Sequence, residues 1–265
     1  MAGLHLKQVS LMQIKINTFL QSSALILSLS LLSSTVFAGP VDLSPWSVNG
    51  TGTWNLQSAN NAVKQTVNGN PTVFHNNQNS QGNALSGQIT VQTTADDDFI
   101  GFVLGYNDGD LNNSSANYLL IDWKQIDQSF YGFAPKGLAI SQVTGALSDD
   151  SGAWSHNPSN NVTELQRAAT LGSTGWLDNT TYDFDLIFTA SLVEVFVNGN
   201  KELSITGTFN NGSFGFYNYS QADVLYAGIQ EDIVPPSAVP IPAAALMFAP
   251  ALLGFVGLRR LKKTI

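Results

Sequence analysis

The chain has 265 residues with 11 basic and 19 acidic side chains, a net charge of −8, and no cysteine. Its two ends hold six of the basic residues (Lys7, Lys15, Arg259, Arg260, Lys262 and Lys263), so the stretch from Asp42 to Asp232 carries every acidic residue against five basic ones, a net charge of −14. Such a surface repels phosphate backbones and excludes nucleic acid as a partner; the missing cysteines exclude a disulfide framework, and about 190 residues between the ends suffice to bury a core without one.

Residues 1–38 join Lys7 and Lys15 to an apolar stretch around 24–32 and to Val36-Phe37-Ala38, a small-residue cleavage site. That is the layout of a secretory signal. A retained membrane anchor is the alternative, and the short, serine-broken apolar stretch favours cleavage. The chain beyond Ala38 reads as all-β. Segments 46–50 and 52–58 are short strands around an Asn-Gly turn signal. Segment 62–67 alternates and stops at Asn68-Gly69-Asn70-Pro71, and 84–93 alternates with Leu85, Gly87, Ile89 and Val91 on one face.

The central stretch is 95–127. Asp96-Asp97-Asp98 leads into the apolar run 99–106, which is followed by Asn107-Asp108-Gly109-Asp110; a second apolar run covers 118–123. Both runs are rich in β-branched and aromatic residues and are bounded by Asp, Asn, Gly and Ser, so both are predicted as buried strands ending in turns. Adjacent carboxylates repel, so the clusters at the strand ends need solvent or a cation. Ca²⁺ takes roughly six to eight hard oxygen ligands, which carboxylates, amides and carbonyls here supply. The residues alone leave two readings open: solvated, Asx-rich turns, or calcium loops. The spacing Asp108-Gly109-Asp110-Leu111-Asn112 alternates as calcium loops do, yet it lacks the Gly and terminal Glu of an EF-hand.

The block Asp96-Asp97-Asp98-Phe99-Ile100-Gly101-Phe102-Val103-Leu104-Gly105-Tyr106, followed by Tyr118-Leu119-Leu120-Ile121-Asp122-Trp123-Lys124-Gln125, resembles the thrombospondin C-terminal domain. That family shows an acidic run, a Gly-Phe-x-x-Gly-Tyr strand and then a strand ending in Trp-Lys-Gln. The likeness extends from Trp54 to Ile229 and takes in Gly175-Trp176 and the segment 212–219. It implies a jelly-roll β-sandwich like that of legume-type lectins. It also implies calcium at acidic strand-end loops, carried here to Asp96, Asp97 and Asp98, and secondarily to Asp108 and Asp110. The calcium-binding type 3 repeats that precede the domain in thrombospondins have no counterpart between Ala38 and Trp54. Trp123 is expected in the core, and Lys124 beside a nearby aspartate.

Segment 137–143 is a further alternating strand; 145–175 is loop-rich, with a short helix predicted over 163–169. Segment 182–188 alternates. Segments 192–197 and 201–205, joined by Asn198-Gly199-Asn200, form a β-hairpin, and 213–219 and 222–229 close the domain. Strands at this regular spacing with almost no amphipathic helix predict an all-β sandwich or jelly roll over 39–233.

A Pro-rich linker begins at Val234. Segment 243–258 has no charged residue and is followed by Arg259-Arg260-Leu261-Lys262-Lys263. The apolar stretch is at the lower limit for spanning a bilayer, and the basic cluster is expected to stay cytoplasmic. Val239-Pro240-Ile241-Pro242-Ala243, the apolar helix and the basic tail resemble the PEP-CTERM sorting signal in its Val-Pro-Leu-Pro-Ala variant. Val239, Pro240, Pro242, Arg259 and Arg260 carry that likeness. It implies a Gram-negative bacterium, an exosortase-type enzyme that removes the tail, and delivery to the envelope surface or exopolysaccharide. A permanent single-span anchor is the alternative.

Catalytic motifs are lacking. Glycosidases on lectin-like sandwiches set paired carboxylates on one strand face, and no such run occurs among Glu164, Glu194, Glu202 and Glu231. His75 and His156 are predicted in polar loops, solvated and apart, and neither Gly-x-Ser-x-Gly nor His-Glu-x-x-His is present. The sequence reads as an exported, non-catalytic, calcium-binding adhesion or binding module, at the cell surface or with exopolysaccharide, whose partner is an extracellular polysaccharide or a surface protein. A lectin proper is the second reading and a glycan hydrolase the third.

Overall fold

The computed structural model describes residues 39–147 and 151–234. One antiparallel sheet runs, edge to edge, β15 (Asn200–Thr206), β14 (Leu192–Val197), β13 (Thr181–Phe188), β6 (Asn83–Val91), β17 (Val224–Ile233), β4 (Ala62–Gln65) and β3 (Trp54–Leu56), with β1 (Gly39–Pro40) paired on β17. The second runs β12 (Val162–Arg167), β11 (Gly137–Val143), β8 (Tyr118–Lys124), β7 (Phe99–Tyr106), β16 (Ser213–Tyr219), β5 (Thr72–His75) and β2 (Ser47–Gly50). A hairpin of β9 (Gln128–Ser129) and β10 (Phe133–Ala134) and the short helix α1 (Ser151–Ser155) stand outside the sheets. The all-β sandwich expected from the strand pattern is the fold. The expected signal segment, linker, apolar helix and basic tail, with Val239, Pro240, Pro242, Arg259 and Arg260, lie outside the described residues. Among the described residues no helix is long and apolar enough to cross a membrane.

The period-2 alternation explains the packing. Ile100, Phe102 and Leu104 of β7, Leu119, Ile121 and Trp123 of β8, and Phe214 and Phe216 of β16 face Leu85 and Ile89 of β6 and Phe184, Leu186 and Phe188 of β13 in the inner core. Phe102 and Phe184 meet at 4.6 Å between centroids, and Phe216 stacks on Tyr226 at 4.3 Å. The opposite face of β7, β8 and β16 is covered as well: Phe99, Val103, Tyr118, Leu120, Tyr217 and Tyr219 pack under Leu111, Leu147 and Trp154. A sheet buried on both faces reads in sequence as continuous apolar runs, which is why 99–106 and 118–123 do.

Two expectations fail locally and one strand went unread. The helix predicted over 163–169 is strand β12, paired from Val143↔Val162 to Ala139↔Arg167. The free edge of β11 offers ladder partners, and Val162 and Thr163 suit a strand, so tertiary pairing decides. Strand β5 has a two-residue apolar stretch, too short to register as a strand, although all four of its residues are buried. His75 lies in that strand at 0% exposure and His156 is largely buried at 9% side-chain exposure, so neither is a solvated loop histidine.

Candidate metal centre

Asp96, Asp97 and Asp98 close the turn entering β7, and one oxygen from each lies within 4.8 Å of the others. Backbone contacts fix the turn. Asp98 N–H donates to Gln221 Oε1 at 3.1 Å, Trp176 Nε1 donates to Asp98 O at 3.0 Å, and Gln125 N–H donates to Asp97 O at 3.2 Å. Trp176 reaches this position because Gly175 lies against the Gln125 backbone, whose carbonyl oxygen would stand 1.8 Å from a Cβ there. Only glycine permits that approach.

The expected partnership of Lys124 is present. Its ammonium is 1% exposed, sits 2.5 Å from Asp98 Oδ1, also donates to Gln128 Oε1, and rests over the Phe99 and Trp154 rings at 4.8 and 4.5 Å. Gln128 in turn donates to Asp97 Oδ1 at 2.6 Å, and Asn68 donates to Asp96 Oδ2. Trp123 is buried, and its indole donates to Thr174 O at 2.7 Å.

One ammonium faces three carboxylates. Burial, followed by the repulsion of Asp98, pushes Asp96 up to about 6 against an opposing hydrogen bond from the Asp97 N–H. Burial also raises Asp97, with Lys124 pulling the other way. Asp98 Oδ1 belongs to Lys124, which also draws on Asp97, so among the described residues one ammonium is set against three carboxylates. A hard-oxygen set with surplus charge fits a cation that accepts carboxylate and amide oxygens.

Asp108 and Asp110 sit at the far end of β7, an eight-residue strand and so roughly 25 Å from the triad. They do not join it. Asp110 is buried and closes its own turn: Oδ2 accepts from Asn107 N and Nδ2 at 2.9 and 3.1 Å, and Oδ1 accepts from Asn113 Nδ2 at 2.9 Å. Asp108 is exposed, accepts from Asn49 Nδ2 at 2.8 Å, and lies 3.4 Å from His75 Nε2 without hydrogen-bond geometry.

A second buried charge group escaped the sequence. His156 lies 2.9 Å from Asp122 Oδ2 and 3.5 Å from Glu164 Oε2, and Glu164 pairs with Arg167 at 2.9 Å. Burial alone would strip the imidazole of its proton, but the two carboxylates, Asp122 foremost, hold it up at about 9. The sequence carried one signal: an aspartate inside the run Leu-Leu-Ile-Asp-Trp, which a buried strand tolerates only with a cationic partner.

A model of the thrombospondin C-terminal region matches residues 49–233. Thrombospondin-2 of Gallus gallus is 26% identical over 196 residues, covering 67% of this chain and 16% of that protein. Cartilage oligomeric matrix protein of Bos taurus is 22% identical over 204 residues, covering 69% of this chain and 26% of that protein. The chain thus spans about a quarter or less of the length of these relatives. Among solved structures, a carbohydrate-binding module of Bacillus subtilis, CBM66, superposes with a TM-score of 0.51 at 9% identity, over 71% of this chain and 95% of the module. That likeness is one of fold.

Proposed function

The chain belongs to the thrombospondin C-terminal region family, and from that premise we propose that it is an exported, non-catalytic binding module that uses calcium at Asp96, Asp97 and Asp98. The observation that carries the calcium reading is the three carboxylates Asp96, Asp97 and Asp98, with one oxygen of each within 4.8 Å of the others, beside a single buried ammonium. A Ca²⁺ ion there would take oxygens from Asp96 and Asp97, with the remaining Asp98 oxygen beside them. Asp108 and Asp110 form the secondary loop in this reading. Bound calcium would stiffen the turn between β6 and β7 and hold the Gln128 end of the β9–β10 hairpin in place through Asp97.

The partner is an extracellular polysaccharide or a surface protein, met after export and sorting of the tail by an exosortase-type enzyme in a Gram-negative envelope. A sandwich superposing on a carbohydrate-binding module favours glycan as the first class to test. A glycan array probed with the full chain in calcium and in EDTA checks this: retention on a subset of glycans is expected. Retention on none, in either condition, removes the glycan reading and leaves protein partners.

A further inference from the structure

A cleft of about 160 Å³ opens at one end of the sandwich, between the start of β8, the end of β11 and the loop joining β15 to β16. Asn117, Gln142, Thr144 and Asn210 contribute its polar rim, Phe209 a half-buried wall and Phe188 a buried floor. None of the residues that line it carries an acidic or basic side chain. We propose that this cleft binds one uncharged sugar residue of a glycan. The proposal rests on the glycan-binding reading above and places the sugar away from the cation: the cleft borders Leu104 and Leu119, whereas Lys124 pairs with Phe99 at the other end of the same ladder.

The chemistry narrows the occupant. A ligand anion finds no ammonium or guanidinium in the cleft and meets a domain of net charge −14. A ligand cation finds no carboxylate. A peptide needs a longer groove than one that holds a single six-membered ring. A neutral sugar offers hydroxyls that both donate and accept, and a C–H face that packs on an aromatic ring. The rim supplies the complement. Gln142 Nε2 is engaged by Asn117 Oδ1 and, at 3.1 Å, by Tyr118 O, which leaves Gln142 Oε1 and Asn117 Nδ2, on two residues that line the cleft, unengaged by these bonds. Asn210 reaches Asn117 O at 3.5 Å through its Nδ2, which leaves its Oδ1 open.

The site is formed in advance. Phe209 N–H donates to Ala190 O and Gly207 N–H to Ser191 O, each at 3.1 Å, and Gln81 Nε2 donates to Phe209 O at 2.6 Å. On the other side Gly105, at φ +73°, brings the β7 backbone so close that Asn210 O would stand 2.7 Å from a Cβ. A loop pinned at these points binds without paying much ordering entropy.

The test is a titration of the ¹⁵N-labelled full chain, watching the side-chain amides of Asn117, Gln142 and Asn210. The probes are methyl glucoside, methyl galactoside, methyl mannoside and N-acetylglucosamine, with glucuronate as the anionic control. At least one neutral probe is expected to shift all three amides saturably, equally in calcium and in EDTA, and glucuronate to bind about tenfold more weakly. Asn210→Ala and Gln142→Ala, both at the rim and away from the core, should each weaken binding about tenfold. Silent amides with every neutral probe overturn the site, as do unchanged affinities in both variants or shifts confined to the Phe130–Phe133 hairpin tip. A positive glycan array with silent cleft amides sinks this site alone; a silent array sinks the glycan reading on which it rests as well.

Discussion

Lys124 and Asp96 show how one turn divides its charges. The Lys124 ammonium is sealed between Asp98, Gln128 and two aromatic rings. Replacing it, as in Lys124→Met, strands Asp98 at 7% side-chain exposure and should cost about 3–5 kcal/mol. Adding Asp98→Asn should recover much of that loss, a double-mutant cycle read from denaturant midpoints. Asp96 is the cleaner probe of calcium, because its charge has no cation to lose. Its folded-state pKa of about 6 lies above the ordinary carboxylate value, so the folded state binds the proton more tightly. In EDTA the melting temperature should therefore gain from this group as pH falls from neutrality through 6, and Asp96→Asn should abolish that gain. At neutral pH calcium should raise the melting temperature of the wild type. A cation that binds only the folded state contributes about 2.7 kcal/mol at roughly hundredfold excess over Kd. Mg²⁺ should do less, since it demands octahedral geometry. Equal melting in EDTA and in calcium would leave the triad a solvated strand entry.

The segments between β11 and β12 act as a cover on the outer face of the second sheet. Trp154 of α1 packs edge-on against Phe99 at 5.6 Å and Tyr219 at 6.0 Å, and His156 fastens the segment to Asp122 and Glu164. The charged imidazole has a folded pKa of about 9, above its ordinary value. Its stabilisation is thus complete below about 6.5, the unfolded value, and is lost as pH rises through 9. Hydrogen exchange of the amides in α1 and β12 should accelerate across that alkaline window in the wild type. In His156→Gln those amides should be deprotected already at neutral pH, because Asp122 and Glu164 then face no cation from this side. Much of the framework was readable in the residues: the apolar runs of β7 and β8, the Asn-Gly hairpin of β14 and β15, and the Lys124–aspartate pairing all follow from local pattern. What was not readable depends on distant partners. Asp122 and His156 are 34 residues apart, β12 is a strand because β11 has an open edge, and the polar side chains of the cleft carry no sequence signal because only the fold gathers them.

At the scale of the whole molecule, charge and processing separate. The domain is acidic throughout, and the basic residues outside it all sit at the two ends of the chain. Cleavage after Ala38 and loss of the tail near Pro242 should leave a species of about 200 residues with the −14 charge exposed, a domain-sized unit. Intact-mass analysis of envelope and matrix fractions should find that species. Finding the apolar segment 243–258 retained there would favour plain anchoring over sorting.

Strand β17 is the last described strand in the chain and yet an interior strand of its sheet, bonded to β6 on one side and to β4 on the other. Asn83 donates to Glu231 across 148 residues of chain. A ribosome delivers residues in order, so while β6 and β4 are already available their shared neighbour is still missing. The two parts of this sheet, β15–β14–β13–β6 and β4–β3, cannot join until Val224–Ile233 emerges, and pairings of such long range close slowly. Synthesis thus leaves the sheet in two unjoined pieces until that strand is made, so the sandwich closes on one of the last segments delivered.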